Sequence, residues 1–151
     1  MQFASRLRIS ALPRWIAVGA WMALIFYLSS QPSLPWLMDR FRALQSLAGH
    51  MIEYAVLAVL LRWALVWNIP SGDGARTSHA SRLAFVVAVG YGITDEFHQH
   101  FVPGRYMDPL DLLADATGAV AALGIASLVV SRRAAASREN KGLPIDLTGQ
   151  P

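Results

Sequence analysis

The sequence LAFVVAVGYGITDEFHQHFV, residues 83–102, begins as an apolar run and ends in a dense group of ionisable and amide side chains. It is apolar only as far as Thr94, and it reaches membrane-spanning length only if one helix continues through the polar group. A charged side chain in the bilayer core costs at least ~2.5–3.5 kcal/mol on insertion scales, so such residues mark candidate functional sites. The polar group consists of Asp95, Glu96, His98 and Gln99.

The composition is that of a membrane protein. The 151 residues are 54% hydrophobic and 15% charged, whereas soluble domains carry about 25% charged residues. The formal net charge of +3 comes from arginines that flank apolar runs. They form no basic stripe, which argues against a nucleic-acid partner. The chain has no cysteine, which excludes disulfides, thiol chemistry and cysteine-ligated metals.

Four apolar segments are each long enough to cross about 30 Å of hydrocarbon as a helix. They are Arg14–Ser30, His50–Trp67, 83–102 and Pro109–Val130. The predicted fold is therefore an all-α membrane protein, a bundle of four transmembrane helices over residues 14–130. Residues 1–13 and 131–151 are predicted to be tails, the second one disordered. The first segment is interpreted as a retained helix, because its apolar core is long and no signal-peptide cleavage site follows.

The positions of the basic residues predict the orientation. Both tails and the 68–81 connection, with Arg14 and Arg82 at their edges, together hold nine basic residues, whereas the two remaining connections hold only Arg40, Arg42 and Arg105. The positive-inside rule therefore places both termini in the cytoplasm. The 103–107 loop is then outside. Arg62 falls within the second segment, and we expect it to extend toward the cytoplasmic surface beside Trp63 and Trp67.

This orientation places polar residues of three helices at one depth. Counted from the cytoplasmic ends of their helices, Glu53, Asp95 and Asp115 lie about 21, 20 and 23 Å deep at 1.5 Å per residue. Helical periodicity also groups the polar residues of each segment on one face. The face of the second segment carries His50, Glu53, Tyr54 and Leu57, and that of the third carries Tyr91, Asp95 and His98. The face of the fourth carries Asp108, Asp111, Asp115, Gly118 and Ala122. The sequence thus predicts one shared polar site in the outer half of the bundle.

Several of these residues also have structural interpretations. Asp108 before Pro109 has the pattern of a helix N-cap, and Asp111 near the third helical position suits the helix dipole. Pro103-Gly104 is typical of a type II turn. Arg105 either pairs with an acid or binds a phosphate or carboxylate. The whole cluster is also consistent with hydrogen bonds that hold helices together.

A metal site is a further alternative. His50 and Glu53 are spaced i, i+3, as in di-metal sites of helical bundles, and the imidazoles and carboxylates suit zinc or manganese. The sequence contains no full ligand signature, so neither a metal nor another cofactor is expected.

The same residues resemble the VanZ-like family. The similarity covers roughly residues 20–125, and its most specific part is the combination of Asp95-Glu96, Gln99, Pro103-Gly104-Arg105 and a following aspartate. Further matching stretches are residues 26–32, FYLSSQP; 50–57, HMIEYAVL; and 111–118, DLLADATG. Two positions differ from the family pattern: Leu47-Ala48-Gly49 stands where a lysine is common, and Asp115 where an asparagine is common.

The resemblance implies a small multi-pass protein of the bacterial cytoplasmic membrane, in a family linked to low-level resistance to the glycopeptide teicoplanin. It does not supply a biochemical activity, so whether the protein is an enzyme stays open.

The leading hypothesis is an outward-facing site that binds or processes an envelope lipid or a lipid-linked cell-wall precursor. Its expected catalytic residues are Glu53, Asp95, Glu96 and His98. Its expected binding residues are His50, Gln99, Arg105, Asp111 and Asp115. The alternatives are an accessory membrane protein whose cluster only holds helices together, and a small proton-coupled carrier.

Overall fold

A computed structural model of the chain describes residues 2–32, 39–67, 69–70 and 73–142. Within these ranges the structure consists of four α-helices and contains no strand. They are α1 (Gln2–Ser29), α2 (Asp39–Leu65), α3 (Gly74–Gln99) and α4 (Pro109–Gly142). The all-α prediction is confirmed.

Three of the four helices are long and apolar enough to cross a membrane. These stretches are Ala11–Ser29, Leu47–Leu65 and Pro109–Ser137. α3 does not qualify by hydropathy, because its last turns carry the polar group described above. Three helices therefore support the prediction of a membrane protein. The contribution of α3 depends on how that helix packs against the others.

Four helix boundaries differ from the sequence prediction. α1 begins at Gln2, within the predicted N-terminal tail, and α2 begins at Asp39 rather than at His50, because a helix is not confined to its apolar part. α3 begins at Gly74, within the stretch predicted as a cytoplasmic connection, because Asp73 provides an N-cap by accepting a 3.0 Å hydrogen bond from the Arg76 amide. α4 continues to Gly142, whereas the sequence predicted disorder after residue 130. Residues 134–136 are all alanine, the strongest helix former, so the helix continues beyond its apolar part.

Small residues allow close packing of the helices. The buried face of α3 carries Ala80, Ala84, Ala88 and Gly92 at every fourth position, which lets neighbouring backbones approach. Gly118 of α4 does the same against α2: a Cβ built on it would lie 2.8 Å from the carbonyl carbon of Met51. Gly118 thus admits α2 at a distance that a larger residue would not allow.

Basic and aromatic side chains tie the helices together at the end opposite the polar group. The guanidinium of Arg14 lies over the rings of Trp63 and Trp67, 4.5 and 3.9 Å from their centres, and donates a hydrogen bond to the Trp63 carbonyl. Arg62 instead donates to the Ser81 hydroxyl of α3 at 3.0 Å. The expectation that Arg62 accompanies these tryptophans is wrong, because α1 brings Arg14 to them and α3 offers Arg62 an acceptor.

Candidate functional site

Polar side chains of α2, α3 and α4 meet at the end of the bundle where α3 ends and where α4 begins. Five ionisable or amide side chains there are buried, with at most 8% of their surface exposed. They are His50, Asp95, Glu96, Gln99 and Asp111; a sixth, Asp115, is completely buried. The antiparallel order of the helices places the end of α3 beside the first turns of α4, which brings these distant residues together.

His50 is the centre of the cluster. Its Nδ1 lies 2.9 Å from Oδ1 of Asp115, and its Nε2 lies 3.8 Å from Oδ2 of Asp111. The two aspartates are one helical turn apart on α4, so both nitrogens of one imidazole face carboxylates of the same helix face. The sequence described the polar faces of α2 and α4 separately, and the structure shows that these two faces contact each other.

Glu96 connects α3 to the start of α4. Its Oε2 accepts a 2.9 Å hydrogen bond from the amide of Asp108, while Oε1 is buried and has no hydrogen-bond partner among the described residues. The Asp108 side chain in turn accepts a 2.8 Å bond from the Leu110 amide. The N-cap interpretation of Asp108 is confirmed, and Glu96 reinforces the same helix start.

Asp95 and Gln99 form a second buried pair on α3, one turn apart. Nε2 of Gln99 donates to Oδ2 of Asp95 at 3.1 Å. Oδ1 of Asp95 is buried without a hydrogen-bond partner in the described part of the chain, as is Oδ2 of Asp115. Three carboxylates of the cluster thus each keep one buried oxygen that protein groups leave unsatisfied, which is uncommon in folded proteins.

Glu53 lies at the margin of the cluster and is half-buried. It is within electrostatic range of His50, Asp95 and Asp115, and also of Arg105. Its main-chain carbonyl accepts a 2.9 Å hydrogen bond from the Trp21 indole of α1. Of the three acids that the sequence placed at one depth, Asp95 and Asp115 are buried in this region and Glu53 lies at its margin.

His98 is directed away from this region. Its Nε2 lies 3.0 Å from the Ser30 hydroxyl, and its ring stacks on Phe26 with centres 4.3 Å apart. The buried face of α3 at this level contains Asp95, Glu96 and Gln99, so His98 lies on the side that meets α1. His98 lies at the same end of α3 as the other predicted residues, but its contacts are with Ser30 and Phe26 rather than with His50.

Arg105 follows a tight turn on the same end of the bundle. Gly104 has a φ of 77°, and the Arg105 amide donates to the Val102 carbonyl at 3.1 Å, which confirms the predicted type II turn at Pro103-Gly104. The Arg105 guanidinium donates to the main-chain carbonyls of Gln31 and Leu28 at 3.3 and 3.5 Å. Its present partners are thus the carbonyl groups at the end of α1.

The sequence interpretation missed Gly92 and assigned no role to Tyr54, although it placed Tyr54 on the polar face of α2. Gly92 makes room for the site, since a Cβ there would lie 2.7 Å from Oδ2 of Asp115 and 3.3 Å from the Tyr54 ring. The Tyr54 ring runs parallel to that of His50, and its buried hydroxyl has no hydrogen-bond partner within the described ranges. The repeat of small residues on α3 was the available signal for Gly92. Nothing in the sequence distinguished Tyr54 from a packing residue.

A comparison with known protein families agrees with this architecture. The family model described as VanZ/LLP1 matches residues 14–130, which include all four helices' inward faces and the whole polar cluster. Comparisons with curated proteins and with solved structures find no match. The family resemblance predicted from the polar residues is confirmed, and the chain belongs to the VanZ/LLP1 family of membrane proteins.

Proposed function

We propose that this protein crosses the membrane four times with both termini in the cytoplasm, and that its buried cluster binds or processes an envelope lipid or a lipid-linked cell-wall precursor. The observation that carries the proposal is the convergence of His50, Glu96 and Asp115 from three helices, with carboxylate oxygens that no hydrogen bond from the described residues satisfies. Buried polar groups without partners are costly. A site that takes a polar ligand gives them partners.

The packing of α3 supports a fourth crossing. Its 26 residues extend about 39 Å at 1.5 Å per residue, enough for the ~30 Å core. Apolar side chains on its outer face are exposed, at 63% for Val86, 54% for Ile93 and 59% for Phe97. Its acids face the other helices instead. Such a helix presents hydrocarbon to lipid although its average hydropathy is low.

The arrangement suits proton transfer or recognition of an anionic head group. His50 lies between two carboxylates: its Nδ1 is at hydrogen-bond distance from Asp115, and its Nε2 is 3.8 Å from Asp111, a gap that a small movement would close for proton transfer. Glu53, Asp95 and Glu96 supply further acids, and Gln99 orients Asp95. Arg105 is the nearby cation, and it lies in the loop that the positive-inside rule places outside. An anionic head group would compete with two long hydrogen bonds from Arg105 to main-chain carbonyls of the described residues.

The main alternative is that the cluster only holds helices together. Two hydrogen bonds favour this alternative. The bond between His50 and Asp115 joins α2 to α4, and the bond between Glu96 and Asp108 joins α3 to the start of α4. Interhelical bonds of this kind average about 0.6 kcal/mol in measured membrane proteins. A structural cluster and a functional one therefore predict different effects of the same substitutions.

The test pairs Glu96→Gln and Arg105→Gln with Arg76→Gln as control, because Arg76 is an exposed arginine at the opposite end of the bundle. Glutamine at 96 keeps an oxygen for the Asp108 amide while losing the charge. Melting temperature in detergent, cellular abundance and teicoplanin susceptibility are measured for each variant. We expect Glu96→Gln and Arg105→Gln to abolish the phenotype at normal abundance, and Arg76→Gln to change nothing. A phenotype that falls only as folded protein falls would refute the proposal and favour the structural alternative.

A further inference from the structure

Three buried side chains, one on each of α2, α3 and α4, place potential metal ligands around one point. Ligand atoms of His50, Glu96 and Asp111 all lie within 4.8 Å of one another. Their residues are 6%, 3% and 8% exposed. We infer that this protein binds one divalent transition-metal ion, Mn²⁺ or Zn²⁺, through His50, Glu96 and Asp111.

The hydrogen bond between His50 and Asp115 prepares the imidazole for this role. If Asp115 accepts the Nδ1 proton at 2.9 Å, the neutral ring carries its lone pair on Nε2. Nε2 is the nitrogen that faces Asp111, at 3.8 Å from Oδ2. Metal-binding histidines almost always donate their other ring N–H to a carboxylate, carbonyl or water, which fixes the tautomer and raises ligand basicity. Asp115 is thus a positioning residue for His50.

Glu96 gives a second, independent indication of a ligand. Its Oε2 is held by the Asp108 amide, whereas its buried Oε1 has no hydrogen-bond partner in the part of the chain that the structure describes. One oxygen therefore fixes the carboxylate and the other remains available. A cation bound at Oε1 supplies the missing partner, and the Asp108 amide then serves as the outer contact that orients the ligand.

The donor set selects the class of ion. Two carboxylates and a neutral imidazole neutralise a divalent cation, and mixed nitrogen and oxygen donors suit zinc or manganese. Ligands of a tetrahedral site with bonds of about 2.1 Å lie about 3.4 Å apart. The present spread of 4.8 Å therefore closes by small side-chain movements when an ion enters. Three protein ligands leave a coordination position open, as in catalytic rather than structural zinc sites.

This inference does not require the proposed lipid ligand. Metal binding is measured on the protein in detergent without any envelope lipid, so its failure leaves the proposed function untouched. Conversely, a bound ion would not by itself establish that a lipid-linked precursor is the substrate.

The experiment uses the full chain with an affinity tag free of histidine, stripped with EDTA and titrated with Mn²⁺ or Zn²⁺. Bound ions per chain are counted by equilibrium dialysis and elemental analysis. We expect one ion per chain in the wild type and, in the Mn²⁺ form, a pulsed-EPR coupling to one imidazole nitrogen. Glu96→Gln and Asp111→Asn should each weaken metal binding roughly tenfold or more. Asp115→Asn should weaken it about 10–100-fold, because His50 loses the carboxylate that orients its ring.

His100→Gln is the matched control, because His100 is an exposed histidine at the same end of α3; its affinity should equal that of the wild type. The inference is overturned if the stripped wild type binds neither ion, or if its bound Mn²⁺ shows no nitrogen coupling. It is equally overturned if folded Glu96→Gln and Asp111→Asn bind as well as the wild type. Should those variants fail to fold, the nitrogen coupling in the wild type decides the question alone.

Discussion

Substitution of Gly118 by alanine tests the closeness of α2 and α4, on which the cluster depends. The new Cβ would lie 2.8 Å from the Met51 carbonyl carbon and 2.9 Å from its Cα, whereas carbon atoms pack favourably at about 3.5–4.0 Å. The obstacle is backbone, so α2 must retreat by about 0.7 Å or more. His50 precedes Met51, and Asp115 lies one turn before Gly118. A retreat of this size would lengthen their 2.9 Å hydrogen bond to the limit at which such a bond no longer forms.

Overpacking of this kind costs about 1–3 kcal/mol, and a buried hydrogen bond left unmade adds about 1–3 kcal/mol. Alanine also gains about 1 kcal/mol over glycine in a helix interior. Gly124→Ala isolates that gain, because a Cβ at Gly124 in the same helix meets nothing within 4 Å. We expect Gly118→Ala to be less stable than Gly124→Ala by about 1–3 kcal/mol or more, measured as melting temperature in the same detergent. Equal stability of the two variants would refute the close approach of α2 and α4.

The orientation, the α4 cap and the contacts of Arg14 each give a further prediction. In this cysteine-free chain, cysteine at Met107 should react with an impermeant maleimide in intact cells and cysteine at Ser78 should not; the reverse pattern would invert the proposed orientation. Asp108→Ala should destabilise the protein by about 0.5–2 kcal/mol through loss of the α4 N-cap, whereas Asp108→Asn should be nearly neutral; equal melting temperatures would contradict the cap. Arg14→Gln should cost about 0.5–1 kcal/mol through the lost contacts with the Trp63 and Trp67 rings, and an unchanged melting temperature would show that these contacts contribute nothing.

The parts of the fold that follow local rules could be predicted from sequence. The type II turn at Gly104 and the cap at Asp108 are set by backbone conformation and by hydrogen bonds a few residues apart. The common depth of Glu53, Asp95 and Asp115 follows from helical rise alone. Each of these inferences needs only the residue types and the position along one helix, and the turn and the cap agree with the structure.

The pairing of side chains between helices could not be predicted in the same way. Periodicity placed His98 and Asp95 on related positions of α3, but it cannot say which neighbouring helix each one meets. Asp111 likewise suited both a helix dipole and a site, and only the register of α4 against α2 decides that it faces His50. For α3, average hydropathy counts inward acids and outward apolar residues together, so it does not describe the exposed face alone.

The residues of the polar cluster are also synthesised at different times during translation. His50 and Asp115 are 65 residues apart, so at about 5–20 residues per second Asp115 is synthesised about 3–13 s after its partner. During that interval α2 has to enter the membrane with its histidine unpaired. The position of His50 three residues into the apolar stretch Leu47–Leu65 keeps it about 5 Å from the end of that stretch, within reach of interfacial water. The helices that form a polar site at the end of a bundle can thus insert one after another, and water is excluded from the site only when the last helix packs against the others.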